Sequence, residues 1–135
     1  MSKKIFLASV LGYLVPTFIL GFFWHLIWFH EVYATLDIYR SDVIIPMGLL
    51  SMFIQAILFS WAFSKLFNSQ DSTWLQNGLK AFLFFGCLAW SFLVLPVAAK
   101  FKMTSVLLFL EIETAFTFIQ FAITMPLIGF IQGKK

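Results

Sequence analysis

The sequence predicts an all-α integral membrane protein that folds as a single four-helix bundle over residues 1–135. Hydrophobic residues make up 61% of the chain and charged residues only 11%, whereas soluble domains carry roughly 25% charged residues. A helix needs about 20 apolar residues to cross a bilayer. Four stretches have that length and leave no room for a soluble domain: about Ile5–Phe29, Val43–Ser64, Leu79–Ala99 and Thr104–Ile131.

The first stretch begins like a signal peptide, because Lys3 and Lys4 precede an apolar run. The apolar part of a signal peptide is about 7–15 residues long and ends at small residues. This run is longer and ends in the bulky residues Phe22, Phe23 and Trp24. We therefore interpret it as a retained first span.

The later spans are bounded by polar connections. Thr73 followed by Gln76 has the spacing of a capping box, which predicts that the third helix begins near Trp74. Only the short segment Lys100–Met103 separates the third and fourth stretches. Such a short connection predicts that these two spans form an antiparallel pair.

The basic residues predict the orientation, because Lys and Arg concentrate on the cytoplasmic side of membrane proteins. With the N-terminus inside, the outer segments hold Arg40, Lys100 and Lys102. The inner segments then hold Lys3, Lys4, Lys65, Lys80, Lys134 and Lys135. This excess predicts that both termini are cytoplasmic.

Aromatic residues near the ends of the stretches predict two interfacial belts, where amphipathic rings sit at the level of the lipid headgroups. The outer belt would contain Trp24, Trp28, Tyr33 and Tyr39. The inner belt would contain Trp61 and Trp74.

Ionisable side chains inside a span are candidate functional residues, because an unpaired charge there costs several kcal/mol. His25 and Glu111 both lie roughly 9–10 Å below the outer surface, at about 1.5 Å of rise per residue. Polar residues of the other two spans fall at similar depth, which predicts a shared polar site in the outer half of the bundle. Its predicted members are His25, Ser51, Gln55, Ser91, Glu111, Glu113 and Thr117.

The two glutamates of the fourth span face different directions, because residues two apart on a helix are about 200° apart around its axis. Glu113 belongs to a polar stripe that continues through Gln120. Glu111 shares its face with Ala115 and Ala122, and small residues favour close contact between membrane helices. We therefore predict a homo-oligomer, most simply a dimer, with the fourth span in the contact.

The first outer loop is dense in polar residues for its length. Asp37, Tyr39, Arg40 and Asp42 follow one another closely. Pairing of Arg40 with a carboxylate would close a lid over the level of His25. The alternative is a solvated loop whose surface ion pairs contribute less than about 1 kcal/mol each.

Three classes of function are compatible with the polar site. The working prediction is a transport-related protein for a small solute, an ion or a proton, which a His and carboxylates within a span favour. A membrane enzyme or receptor for a lipophilic ligand would use the same groups as acid and base, with 19 Phe residues to line a pocket. A structural or interaction subunit would use them for interhelical hydrogen bonds of about 0.6–2 kcal/mol each.

Several other kinds of site are not predicted. His25 and His30 are five residues apart, whereas ligands on one helical face are three or four apart, so we predict no metal and no cofactor. Cys87 is the single cysteine and cannot form an internal disulfide. There is no basic stripe with interleaved aromatic residues, which argues against nucleic acid. The predicted partners are the lipid bilayer, a second copy, and a lipophilic or small ionic ligand.

Parts of the first half of the chain resemble the first two spans of small bacterial four-helix membrane proteins of uncharacterised function. The resembling parts are the stretch Gly21–Phe29, then Tyr33, the pair Tyr39 and Arg40, and the stretch Pro46–Ser51. The resemblance implies four spans in a bacterial inner membrane. It implies no activity and assigns no functional residue.

Overall fold

Four long apolar helices form the structure, a computed structural model that describes residues 1–69 and 71–133. Each helix is long and apolar enough to cross a membrane. Their bounds are Lys3–Trp28, Ile45–Leu66, Trp74–Lys100 and Val106–Gln132, here called the first to fourth spans. The predicted all-α membrane bundle is therefore confirmed. Lys134 and Lys135, used in the orientation prediction, lie outside the described residues.

Two of the spans contain a π-helical turn in addition to α-helix. The first span consists of α1 (Lys3–Phe23) followed by the π-turn Trp24–Trp28, and the third consists of α4 (Trp74–Ala89), the π-turn Trp90–Val94 and α5 (Leu95–Lys100). The other helices are α2 (His30–Leu36), α3 (Ile45–Leu66) and α6 (Val106–Gln132).

Side-chain caps set where several helices begin. The hydroxyl oxygens of Ser2 and Ser105 accept hydrogen bonds from the first turns of α1 and α6. Thr73 and Gln76 form the predicted capping box, and α4 begins at Trp74. Each cap satisfies a backbone N–H that has no partner within its own helix.

The fourth span lies at the centre of the packing. It contacts the third span most extensively and the first span along much of its length. Gly78 and Gly129 let the third and fourth spans approach closely, because a Cβ at either position would meet backbone atoms of the other helix at 2.5 Å. The antiparallel pair predicted from the short connection is therefore present.

The second span is peripheral. It packs mainly against the first span and buries only Ala56, Ser60 and Phe63. Its outer half projects from the bundle, and a Cβ added at Gly48 would meet nothing within 4 Å. Grooves therefore open on both sides of this helix.

Large apolar side chains cover the outside of the bundle, among them Leu50, Leu83 and Leu107. An apolar surface of this extent is typical of a helix bundle that contacts a membrane. The length of the helices and their apolar outer surface together identify a multi-pass integral membrane protein.

The beginning of the first span and the end of the fourth span lie at the same end of the bundle, where Gly12 packs against Ile131. Asn68, in the second connection, donates to the backbone carbonyl of Gln132. At the opposite end, the backbone N–H of Thr104 donates to the carbonyl of Leu36, which joins the first and third connections. We call this opposite end the outer end, following the orientation predicted from the basic residues.

Candidate functional site

Three polar side chains from three separate helices meet in the outer half of the bundle. His25 lies in the π-turn of the first span, Tyr33 in the short helix α2, and Glu113 in the fourth span. Nε2 of His25 lies 3.3 Å from Oε1 of Glu113. The hydroxyl of Tyr33 donates to the same carboxylate oxygen. We call these residues the His25–Tyr33–Glu113 cluster.

A contact with the backbone shows which nitrogen of the His25 imidazole carries a proton. Nδ1 of His25 lies 2.9 Å from the carbonyl oxygen of Gly21. Because a carbonyl oxygen can only accept a hydrogen bond, Nδ1 must carry a proton. The contact between Nε2 and Oε1 therefore needs one further proton, which belongs either to the imidazole or to the carboxyl group. The pair accordingly shares a single exchangeable proton.

Aromatic rings enclose this pair. The ring of Phe116 meets the His25 ring edge-on at a centroid distance of 4.4 Å. Tyr39 stacks on Tyr33 with their centroids 4.8 Å apart and their planes 5° apart. The side chains of His25 and Glu113 are 19% and 17% exposed, so both remain accessible from adjoining cavities.

Tyr33 is the member of the cluster that the sequence analysis did not identify. We expected Trp24 and Tyr33 in the outer aromatic belt, and this expectation was wrong because both side chains are buried. Burial first, and then the nearby Glu113 carboxylate, raise the pKa of Tyr33 well above its ordinary value. The hydroxyl therefore stays protonated and acts as a donor.

A second polar network lies deeper in the bundle. The hydroxyl of Tyr13 donates to Oε1 of Gln55 at 2.9 Å and accepts from Nε2 of Gln120 at 2.9 Å. Nε2 of Gln55 donates in turn to the hydroxyl of Ser51 at 3.1 Å. The network links the first, second and fourth spans. Tyr13 was missed, although a tyrosine within an apolar span signals a hydroxyl that needs a partner.

Three cavities adjoin these polar groups. A largely apolar groove of about 570 Å³ lies between the first and second spans, with His25, Tyr39 and Arg40 in its lining. A polar cavity of about 250 Å³ lies beneath the outer loop and is also lined by His25. A cleft of about 240 Å³ between the second, third and fourth spans is lined by Glu113 and Thr117. The His25–Glu113 pair therefore separates the cleft from the two other cavities.

The remaining predicted site residues lie apart from the cluster. Ser91 is exposed, and its hydroxyl donates to the carbonyl of Leu88 in its own helix. Ser51 is exposed on the second span and reaches the deeper network only through Gln55. Glu111 is exposed on the face of the fourth span that points away from Glu113.

The outer loop places Tyr39 and Arg40 beside His25. Tyr39 and Arg40 line both the groove and the polar cavity, whereas Asp37 lines the polar cavity but not the groove. The guanidinium of Arg40 forms a bidentate pair with Asp42, with Nη2 3.0 Å from Oδ2. Hydrogen bonds from Arg40 lower the pKa of Asp42. The loop thus covers the level of His25, with its ion pair facing solvent.

Metal-ligand groups are not clustered in the described part of the chain. Among residues 1–69 and 71–133, no three His, Cys, Asp or Glu side chains come together as a metal site would need.

Comparisons of the chain with protein-family models, with curated proteins and with solved structures found no match. The resemblance to small bacterial four-span proteins therefore stays a prediction.

Proposed function

We propose that this membrane protein is transport-related and exchanges a proton with the outer side at the His25–Tyr33–Glu113 cluster. The observation that carries the proposal is the 3.3 Å contact between Nε2 of His25 and Oε1 of Glu113, made while Nδ1 of His25 is held by the carbonyl of Gly21. Ionisable groups within a span are costly, and proton relays in membrane proteins are commonly built from His and carboxylates.

The surroundings of the pair support such an exchange. His25 lines the polar cavity beneath the outer loop, which contains further polar groups at His30, Asp37 and Arg40. This cavity offers a route between the imidazole and outer water. Glu113 lines the cleft on the other side of the pair. A proton taken up at His25 is therefore one transfer away from Glu113 and the cleft that Glu113 lines.

Proton flux in proteoliposomes tests the proposal. The protein is reconstituted with a pH-sensitive dye inside the vesicles, and a pH step is applied outside. We expect a flux above that of protein-free vesicles, which Glu113→Gln and His25→Ala each remove. Glu31→Gln is the matched control, because the Glu31 side chain is 95% exposed. A flux unchanged in Glu113→Gln would refute the proposal.

The groove between the first two spans favours a second candidate function, the binding of a lipophilic ligand by a receptor or enzyme. Its walls are formed by apolar side chains such as Phe22 and Met52, and its outer end carries His25, Tyr39 and Arg40. Ligand pockets combine a mostly apolar lining with a few polar groups in this way.

Native mass spectrometry of the purified protein tests this candidate. We expect a lipid-sized adduct on the wild type, and its loss in Gly48→Leu. This change adds a bulky side chain to the lining of the groove, at a position where an added Cβ meets nothing within 4 Å. Leu50→Phe, on the same helix but outside the groove, should retain the adduct. Equal adducts in both variants would exclude a ligand in the groove.

The proposal includes a homo-oligomer in a bacterial inner membrane with cytoplasmic termini. Glu111 supports the oligomer, because it is exposed together with Ala115 and Ala122 on the fourth span. A carboxylate facing lipid alone is costly, whereas a second copy would cover it. The excess of basic residues at the end that carries the termini supports the orientation.

A further inference from the structure

The cleft between the second, third and fourth spans has an unusual lining for a membrane protein. One carboxylate, Glu113, lies among aromatic rings and side-chain amides. The residues that matter are Gln55, Phe59, Phe92, Glu113, Gln120 and Phe121. The lining contains no basic side chain among the described residues. The lining therefore offers one carboxylate, several aromatic rings and two amide side chains to a ligand.

The carboxylate has capacity for another partner. Oε1 of Glu113 already accepts from Tyr33 and faces Nε2 of His25. The hydrogen bonds of the described chain that reach this carboxylate both involve Oε1. A carboxylate oxygen in a site of low polarity is strongly stabilised by a partner that supplies positive charge.

The aromatic lining indicates the class of that partner. Ring faces attract cations electrostatically, and aromatic cages are the usual recognition site for ammonium ions that carry alkyl groups. Phe59 and Phe121 are 5.4 Å apart with perpendicular rings, and Phe92 is 71% exposed at the opening of the cleft. An opening lined by an exposed phenylalanine faces the apolar part of the bilayer, so the ligand must be lipophilic as well as positively charged.

We propose that the cleft binds a lipophilic organic ammonium ion in exchange for the proton that His25 and Glu113 share. The inference rests on the proposed function, because the proton is the same one. The cation enters beside the carboxylate, and the proton leaves His25 through the polar cavity beneath the outer loop. The charge of the occupied cluster is then unchanged, because one positive charge replaces another.

The groups around the pair are compatible with this exchange. Tyr33 and Tyr39 face His25 from α2 and the outer loop. Beyond them, the polar cavity contains His30, Asp37 and Arg40. On the cleft side, the second span contributes the neutral amide Gln55, and the described lining from the third span is apolar. The His25–Glu113 pair is therefore the group in the site whose proton a cation in the cleft displaces.

Calorimetry with benzyltrimethylammonium tests the inference on the full-length protein in detergent. Titrations at pH 6 and pH 8 in two buffers of different ionisation enthalpy give the affinity and the protons released. We expect about one proton released per cation and an affinity that rises up to about tenfold per pH unit. The neutral isostere neopentylbenzene should release no proton and show no dependence on pH.

Variants separate the contributions. Glu113→Gln should abolish binding of the cation, and Glu31→Gln should leave it unchanged. Phe92→Leu removes one aromatic ring at the exposed opening of the cleft, where a substitution should not disturb folding. It should lower the affinity for the cation several-fold and leave the affinity for the neutral isostere unchanged. Equal weakening of both ligands, or cation binding that persists in Glu113→Gln, would overturn the inference.

The proton flux distinguishes the two proposals. If the wild type exchanges protons in vesicles but does not bind benzyltrimethylammonium, the cleft is not a cation site and the proposed function stands. If it shows no proton exchange with or without the cation, the proposed function itself is wrong.

Discussion

Tyr33 ties the outer loop to the membrane-embedded carboxylate. Its side chain is 1% exposed, and its hydroxyl donates to Oε1 of Glu113. We expect Tyr33→Phe to lower the free energy of unfolding by about 1–3 kcal/mol, because a buried carboxylate loses a donor. Unfolding in detergent by heat or by SDS titration measures the change. Tyr39→Phe is the control, since the ring of Tyr39 stacks on Tyr33 but the described hydrogen bonds of the Glu113 carboxylate come from Tyr33 and His25. Equal losses in both variants would contradict the role of the hydroxyl.

The same residue predicts a dependence of stability on alkaline pH. Burial raises the pKa of Tyr33 above its ordinary value of about 10. Above that pH the unfolded chain loses this proton while the folded chain keeps it, so the folded state binds more protons and its stability falls as pH rises. One proton contributes a slope of at most about 1.4 kcal/mol per pH unit. Unfolding measured from pH 9 to 11 should therefore decline less steeply in Tyr33→Phe than in the wild type.

Site residues could be predicted from the sequence where their type is rare within a membrane span. A histidine or glutamate within an apolar stretch is conspicuous, so His25, Glu111 and Glu113 were all found. Counting the helical rise placed His25 level with Glu111, whereas in the structure His25 contacts Glu113 and Glu111 is exposed. The tyrosines were not conspicuous, because a tyrosine near a span end has an ordinary explanation at the lipid headgroups. Only the fold of α2, which turns Tyr33 inward against the fourth span, shows that it belongs to the cluster.

At the scale of the helices, the contact between the third and fourth spans depends on Gly78. A Cβ there would lie 2.5 Å from the Cα atom of Pro126, a backbone atom that moves only if the helices separate. We expect Gly78→Ala to lower the free energy of unfolding by about 1–3 kcal/mol. Gly48→Ala is the matched control, since its Cβ meets nothing within 4 Å. Thermal unfolding of both variants in detergent tests this, and an equal response would show that the close approach is not needed.

The two π-turns show what could not be predicted about the helices. In a π-turn, a backbone N–H donates to the carbonyl five residues earlier rather than four, as Phe29 N–H does to the carbonyl of Trp24. No residue pattern predicts such a turn. Both π-turns pack beside the fourth span at adjacent positions. His25 of the first meets Glu113, and the indole of Trp90 in the second donates to Thr114 at 2.9 Å. π-turns are frequent at functional sites, and here each one aims a ring at the fourth span.

For the whole molecule, the number of spans was predictable. The thickness of a bilayer sets the length of apolar helix that can cross it, and apolar stretches of that length can be counted in the sequence. The rotation of each helix was harder to predict, since residues facing lipid and residues facing other helices are both apolar. Ser51 and Gln55 were expected to join the shared polar site in the outer half of the bundle. The second span instead stands at the edge of the bundle, where Gln55 reaches Tyr13 and Ser51 stays exposed. Its peripheral position creates both the groove and the cleft.

The exposed face of the fourth span leads to a prediction about assembly. Glu111 and Ala115 lie on the same exposed face, and a neighbouring copy would remove the carboxylate from lipid while the small residue allows close contact. In a Cys87→Ser background, Ala115→Cys should form disulfide-linked dimers when membranes are oxidised. Ile54→Cys, exposed at a similar depth on the second span, should remain monomeric because its face lies elsewhere on the bundle. Monomer alone from both variants would show that the fourth span faces lipid and that Glu111 is accommodated without a partner.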